Sequence, residues 1–242
     1  MKIFIDSADL SEIKKYMSWG LCDGVTTNPT ICLQCGVTGG KKGIHARAED
    51  IVKLISPHPL SLEVTTDDPE ELLKEARAYA KLGENIAVKV TITDREGNSL
   101  LPVIHTLVSE GIRVNVTAIT TFNQAILAAK TLESACRKAS SIKFPHYVSI
   151  FAGRISEEQG VERAFKVIQD VRAWLDLYGY SNIEIIVGSV RSPENIEYWG
   201  RAGAHILTIP PSVIAKSLQG ARTKETVAQF IEDSQKSLKK LR

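Results

Sequence analysis

Short apolar runs and longer amphipathic stretches alternate along the whole chain. The runs KIFID (2–6), GVTTN (24–28), SLEV (61–64), IAVKV (86–90), RVNVTAI (113–119), YVSIFAG (147–153), IEIIVGS (183–189) and AHILTI (204–209) are rich in β-branched residues and read as strands. Between them, PEELLKEARAYAKLG (69–83) and EEQGVERAFKVIQDVRAWLDLYG (157–179) carry helical periodicity. Gly83, Gly111, Gly179 and Gly203 fall where helices should stop, since glycine accepts the left-handed conformation of a helix C-terminus. Ser7 and Asp9, Asp67 and Asp68, and Ser192 offer side-chain acceptors where helices should start.

Eight strands, each followed by a helix, predict an α/β fold closed into a (β/α)8 TIM barrel. An open doubly wound sheet would carry a glycine-rich turn after its first strand, and that turn reads DSADLSE. The length of 242 residues suits one such domain over 1–242. TKETVAQFIEDSQKSLKKLR (223–242) places Val227, Phe230, Ile231, Leu238 and Leu241 at helical spacing. It predicts an additional C-terminal helix, free to cap the barrel or pack on a neighbouring subunit in a homo-oligomer. CLQCGVTGGKKG (32–43) reads as a solvated glycine-rich loop without a phosphate-loop pattern, and SACRKASSIKFPHY (134–147) as a helix end and loop.

Lys and Arg exceed Asp and Glu by only two, which offers no electrostatic footprint for nucleic acid. No apolar stretch approaches the ~20 residues that span a bilayer, and the start lacks a secretory signal. The expected setting is cytoplasmic, with Cys22, Cys32, Cys35 and Cys136 as free thiols. Cys32 and Cys35 form one C-x-x-C pair, open to a redox or half-zinc reading, but no second pair follows and no metal is expected.

Barrel enzymes keep their reactive residues near the C-terminal ends of the strands. Here seven strands carry polar groups toward that end. Asp6 ends the first strand and Asn28 the second; Glu63 interrupts the third, and Lys89 stands between Val88 and Val90 in the fourth. Asn115 and Thr117 share one face of the fifth strand, Ser149 and Phe151 one face of the sixth with Arg154 just beyond, and Ser189 and Arg191 close the seventh. A lysine in a buried strand needs a reason, because desolvation disfavours its charge. Either it pairs with Asp6 or Glu63, or it is an amine tuned to attack a carbonyl and form a Schiff base. Arg154 with Ser189-Val-Arg191 reads as an anion site at the start of the helix after strand seven.

These stretches together resemble the transaldolase family, in its short branch that also contains fructose-6-phosphate aldolases. FIDSADLSEI, GVTTNPTI (24–31), AVKV around Lys89, NVTAI (115–119), SIFAGRI (149–155) and GSVRSPENI (188–196) occur in the family's order. The resemblance implies Lys89 as the Schiff-base lysine and Asp6 as the acid/base at the C4 hydroxyl. It implies Glu63 and Thr117 as the pair that positions a water, and Asn28, Asn115 and Ser149 as holders of the dihydroxyacetone hydroxyls. Arg154, Ser189 and Arg191 match the phosphate-binding set. No organic cofactor is implied; the partners are small sugar phosphates, or sugar sulfonates, which some relatives use. Phe151 and Glu63 are the transaldolase choices where the aldolases have tyrosine and glutamine. Thr91 and Ile150 stand where the family commonly has proline, and 36–43 and 134–147 look like insertions. The implied reaction is transfer of dihydroxyacetone from a ketose phosphate such as fructose 6-phosphate to an aldose phosphate such as erythrose 4-phosphate. An aldolase that releases dihydroxyacetone and a silent sugar-phosphate-binding barrel are the alternatives.

Overall fold

The computed structural model describes residues 1–137 and 144–240. Eight parallel strands close into a barrel in sequence order: β1 (Lys2–Asp6), β2 (Gly24–Thr26), β3 (Leu60–Glu63), β4 (Ile86–Thr91), β5 (Val114–Ile119), β6 (His146–Phe151), β7 (Ile183–Gly188) and β8 (Ile206–Ile209). β8 pairs back onto β1, with Ile3 beside Leu207. The connecting helices are α1 (Leu10–Ser18), α2 (Pro29–Gln34), α3 (Gly40–Ile55), α4 (Pro69–Ala80), α5 (Leu101–Ser109), α6 (Phe122–Cys136), α7 (Ala152–Gln159), α8 (Val161–Leu177), α9 (Pro193–Arg201) and α10 (Pro211–Ser217), followed by α11 (Ala221–Lys240). The predicted TIM barrel with an extra C-terminal helix is what the chain forms.

The caps explain the helix starts. Asp9 accepts from the N–H groups of Ser11 and Glu12 at the head of α1, and Asp68 accepts from Glu71 N–H at the head of α4. Before α9, Asn195 reaches back to accept from the N–H groups of Arg191 and Ser192. Proline in the first turn of α2, α4, α9 and α10 fits the place where a missing N–H costs nothing. Gly111, Gly179 and Gly203 follow α5, α8 and α9 with positive φ, as expected of helix stops.

Several boundaries differ from the sequence expectation for local reasons. β2 stops at Thr26, because Asn28-Pro29 already opens a helix. The 32–43 stretch is not one loop: α2 runs to Gln34, and α3 begins at Gly40 after a left-handed Gly39. The long 157–179 helix is two, split at Gly160 with φ 90°. Residues Ala152 and Gly153, expected to end β6, start α7. Of the 134–147 segment, α6 ends at Cys136 and β6 starts at His146, while 138–143 lie outside the described residues.

Strand alternation divides the core. Outward residues such as Ile5, Val25, Leu62, Val88, Val90, Val116 and Val187 pack beneath the helices. Inside, Phe4, Ala87, Tyr147, Ile186 and Ile206 plug the lower barrel, with Phe4 edge-on to Tyr147. Gly24 makes room for this plug: a Cβ there would lie 2.6 Å from the Phe4 ring. Two residues further along β1, β4, β6 and β8 the inward positions are the polar Asp6, Lys89, Ser149 and Thr208, while β7 places Gly188 there. The plug therefore forms the floor of the site. α11 lies exposed along its length, with Phe230 66% and Leu238 64% accessible, so it does not cap the barrel.

Candidate active site

A cavity of about 420 Å³ opens at the C-terminal end of the barrel. Asp6, Asn28, Glu63, Lys89, Ser149, Phe151, Arg154 and Ser189 line it, and all of them were expected at the site from sequence. Lys89 is 4% exposed and directly beside Glu63 in the β3–β4 register. Its Nζ lies 2.9 Å from Glu63 Oε2 and 5.8 Å from the centre of the Phe151 ring. Thus the lysine is both ion-paired and open to a cavity, and the pairing does not exclude a chemical role.

Asp6 accepts a hydrogen bond from the Thr26 hydroxyl at 2.6 Å. Burial pushes its carboxyl above the ordinary aspartate range; the Lys89 ammonium and the Thr26 hydroxyl oppose that shift, and Glu63 adds to it. A carboxyl in this setting holds its proton more readily than one in water, which suits a group that must give and take one. Asn28 caps α2 by accepting from Ile31 N–H at 2.8 Å, so its side chain is fixed where it meets the cavity.

Asn115 and Thr117 stand behind the cavity wall and are fully buried. Ser149 Oγ donates to Asn115 Oδ1 at 2.7 Å, and Asn115 Nδ2 donates to Ser61 Oγ at 3.1 Å. This chain orients Ser149 and leaves its oxygen lone pairs for another donor. Thr117 Oγ1 has no hydrogen-bond partner among the described residues. The strand is irregular just after it: the β5–β6 register shifts between Val116 and Ile119, and Ala118 has φ 61°. Ser189, at the end of β7, also has positive φ (62°). Non-glycine residues in this region each cost on the order of 1–3 kcal/mol, and they gather at functional sites. Gly153 is required beside it, because a Cβ there would meet Ser189 O at 2.1 Å.

Arg154 lines the cavity, whereas Arg191, expected there from sequence, is not among its lining residues and pairs with Glu157 of α7. Sequence reasoning did not find Thr26, Ser61, Thr208 or Glu157. Thr208 faces inward from β8 and hydrogen-bonds to Thr26, so the eighth strand contributes a polar group as well. The alternation in GVTTN, with Thr26 two before Asn28, and in ILTI was the available signal. Among the described residues, no helix is long and apolar enough to cross a membrane.

A closed (β/α)8 barrel with its ionisable residues gathered at the C-terminal mouth has the construction of a barrel enzyme. The transaldolase/fructose-6-phosphate aldolase family matches residues 3–242, and the chain belongs to this family; it is an enzyme of the transaldolase/aldolase kind. A protein named "Probable transaldolase" from Anaeromyxobacter dehalogenans (strain 2CP-C) is 37% identical, covering 98% of this chain and 97% of its own length. Its namesake from Lactiplantibacillus plantarum is 35% identical over 96% of both chains, and that from Nitrosopumilus maritimus 37% over 98% and 96%. Among solved structures, the thiamine phosphate pyrophosphorylase from Pyrococcus furiosus aligns with a TM-score of 0.57 at 8% identity, over 96% of each chain, a likeness of fold alone.

Proposed function

We propose that the chain is a transaldolase that forms a Schiff base through Lys89 and transfers a dihydroxyacetone unit between sugar phosphates, such as fructose 6-phosphate and erythrose 4-phosphate. The observation that carries the reading is the buried Lys89 amine, 2.9 Å from Glu63, facing the same cavity as Asp6. The amine adds to the C2 carbonyl of the ketose, and loss of water leaves an iminium. Asp6 takes the proton of the C4 hydroxyl; the C3–C4 bond breaks, its electron pair enters the iminium, and an aldehyde leaves. The enamine then attacks the carbonyl of an acceptor, Asp6 returns the proton, and water releases the new ketose.

Glu63 and Thr117 position that water. Thr117's unpartnered hydroxyl supports this role, since a buried polar group without a partner is costly unless water or substrate satisfies it. Asn28, Asn115 and Ser149 hold the hydroxyls of the three-carbon unit. Arg154, Ser189 and Arg191 bind the terminal phosphate, and the same donors suit a sulfonate. Competition between a phosphorylated and a sulfonated ketose separates the two. A second copy of the chain covers the apolar stripe of α11, an assembly that light scattering would detect as a mass above that of one chain.

Borohydride reduction in the presence of a ketose phosphate tests the chemistry. Peptide mass should find a three-carbon adduct on Lys89; an adduct on another lysine, or none with any ketose, would remove the Schiff-base reading. An aldolase would release free dihydroxyacetone without an acceptor, whereas a silent barrel would bind the ketose and trap nothing.

A further inference from the structure

Outside the barrel wall, Glu75 of α4 is a buried carboxylate that the chemistry above does not use. It accepts from the N–H of Thr65 at 2.9 Å, from the Thr65 hydroxyl at 2.8 Å, and from the Lys41 ammonium at 2.9 Å. Burial alone would push its carboxyl up, but hydrogen bonds from Lys41 and Thr65, with the Tyr79 phenol nearby, hold it below the ordinary range. Glu75 is thus kept as an anion in a place where an unpaired charge is expensive. Lys41 lies at the start of α3.

What this anion holds is the loop leaving β3. Thr65 is two residues past Glu63, and the residue between them is pinned from the other side, with Val64 N–H donating to Lys89 O at 3.1 Å. The backbone just beyond Glu63 is therefore fixed by β4 at Val64 and by Glu75 at Thr65. Further along, Asp67 takes a bidentate hydrogen bond from Arg95 at 2.8 and 2.7 Å, joining the loops after β3 and β4. Arg95 is exposed, and a solvent-screened pair holds weakly. Lys41 is itself 62% exposed, so the firm anchor is the pair of hydrogen bonds from Thr65 to the buried Glu75 carboxylate.

We infer that Glu75, held by Lys41, is a positioning residue that acts through Thr65 to set the Glu63 carboxylate against the Lys89 amine. The inference rests on the roles given above to Glu63 and Lys89. Glu75→Gln leaves one acceptor oxygen for two donors: its N–H₂ must face either the Lys41 ammonium or the Thr65 N–H, and the clamp loses its charge either way. A carboxylate misplaced by about 1 Å can slow a reaction on the order of 10²-fold.

The test is the rate of borohydride-trappable imine formation with fructose 6-phosphate, in Glu75→Gln, Glu63→Gln and the double variant. Glu75→Gln should slow imine formation by about 10–10²-fold. KM for the ketose phosphate should hold, since Arg154 and Ser189 stand on other strands. In the Glu63→Gln background the second change should add nothing. A general loss of structure would instead lower every step and add to the Glu63 effect. Wild-type imine formation in Glu75→Gln, or additive losses in the double variant, would overturn the inference. Glu63→Gln at the wild-type rate would overturn the Glu63 assignment beneath it. Should Glu75→Gln fail to fold, Thr65→Val keeps the Glu75–Lys41 pair and the N–H bond of residue 65 but removes the hydroxyl bond, and must slow imine formation by less than Glu75→Gln; an unaltered rate there counts against the clamp.

Discussion

The barrel holds two lysine–glutamate pairs that bridge strands at opposite ends. At the N-terminal end, Lys2 of β1 meets Glu184 of β7 at 2.7 Å; at the C-terminal end, Lys89 of β4 meets Glu63 of β3 at 2.9 Å. The glutamates are about equally exposed, at 18% and 17%, but the lysine side chains differ, 49% against 6%. Water screens the lower pair, whose lysine is half exposed. The upper amine has lost its water, sits near the Phe151 ring and the Asp6 carboxyl, and faces a cavity. One chemical pair is a surface contact at one end and a candidate reaction centre at the other. Glu184 also borders a cavity, so burial of the lysine makes the difference, not the residue types.

The largest expected effect tests that contrast directly. Lys89→Met should abolish transfer and trapping while the fold stands, because methionine fills a similar volume without charge. Lys2→Met should keep full activity and lose at most about 1 kcal/mol of stability, the usual worth of an exposed pair. Steady-state rates and thermal melts of both variants decide it. An inactive Lys2→Met or an active Lys89→Met would erase the distinction between the two ends.

Asp6 comes next. Asp6→Asn should still form the imine but cleave the C–C bond about 10²–10⁴-fold more slowly. If the Asp6 carboxylate takes the C4 proton as proposed, the burial that raises its pKa means that wild-type cleavage should fall with falling pH above the ordinary aspartate range; the Asn variant should lack this limb. The same shift has a stability sign. The folded state binds the Asp6 proton more tightly than the unfolded chain, so wild type loses stability as pH rises through that window. At pH 7 Asp6→Asn should therefore melt higher, by about 2–4 °C for each kcal/mol relieved. A lower melting point at neutral pH would contradict the burial argument.

How much of this was legible beforehand follows from the same contrast. Lys89 and Asp6 stood out because a charge in an apolar strand has few innocent explanations. Thr26, Ser61 and Thr208 did not, since serine and threonine are unremarkable in strands, and only the closed barrel brings Thr26 and Thr208 together across 182 positions. The Arg191–Glu157 pair was equally hidden, as it joins two βα connections. The barrel itself was readable from eight short apolar runs. The α7–α8 break was not, because Gly160 interrupts a pattern that remains amphipathic on both sides.

A smaller effect concerns the anion donors. Arg154→Ala should raise KM for a phosphorylated ketose by about 10–10²-fold, in line with about 1.5–3 kcal/mol for a charge-assisted hydrogen bond. KM for unphosphorylated dihydroxyacetone should hold. Arg191→Ala should cost less, because Arg191 does not line the cavity and Glu157 already shares its charge. Equal losses on phosphorylated and unphosphorylated substrates would make these arginines structural.

The smallest and finest effect falls on Phe151. After cleavage, the enamine on Lys89 either meets an aldehyde or is protonated and hydrolysed to release dihydroxyacetone. Which happens depends on how well water is held and protonated beside the imine carbon. The Phe151 ring, with its centre 5.8 Å from Lys89 Nζ on the cavity wall, presents a face that donates no hydrogen bond. On the proposed reading it keeps water from that side and should favour transfer. Phe151→Tyr adds one hydroxyl to a residue already open to the cavity, so the fold has little to absorb. The variant should raise the ratio of release to transfer severalfold, with Lys89 trapping intact. Dihydroxyacetone released from fructose 6-phosphate, measured with and without erythrose 4-phosphate, gives the ratio. If tyrosine leaves it at the wild-type value, Phe151 only packs against the lysine, and partitioning is governed by Glu63 and Thr117 alone.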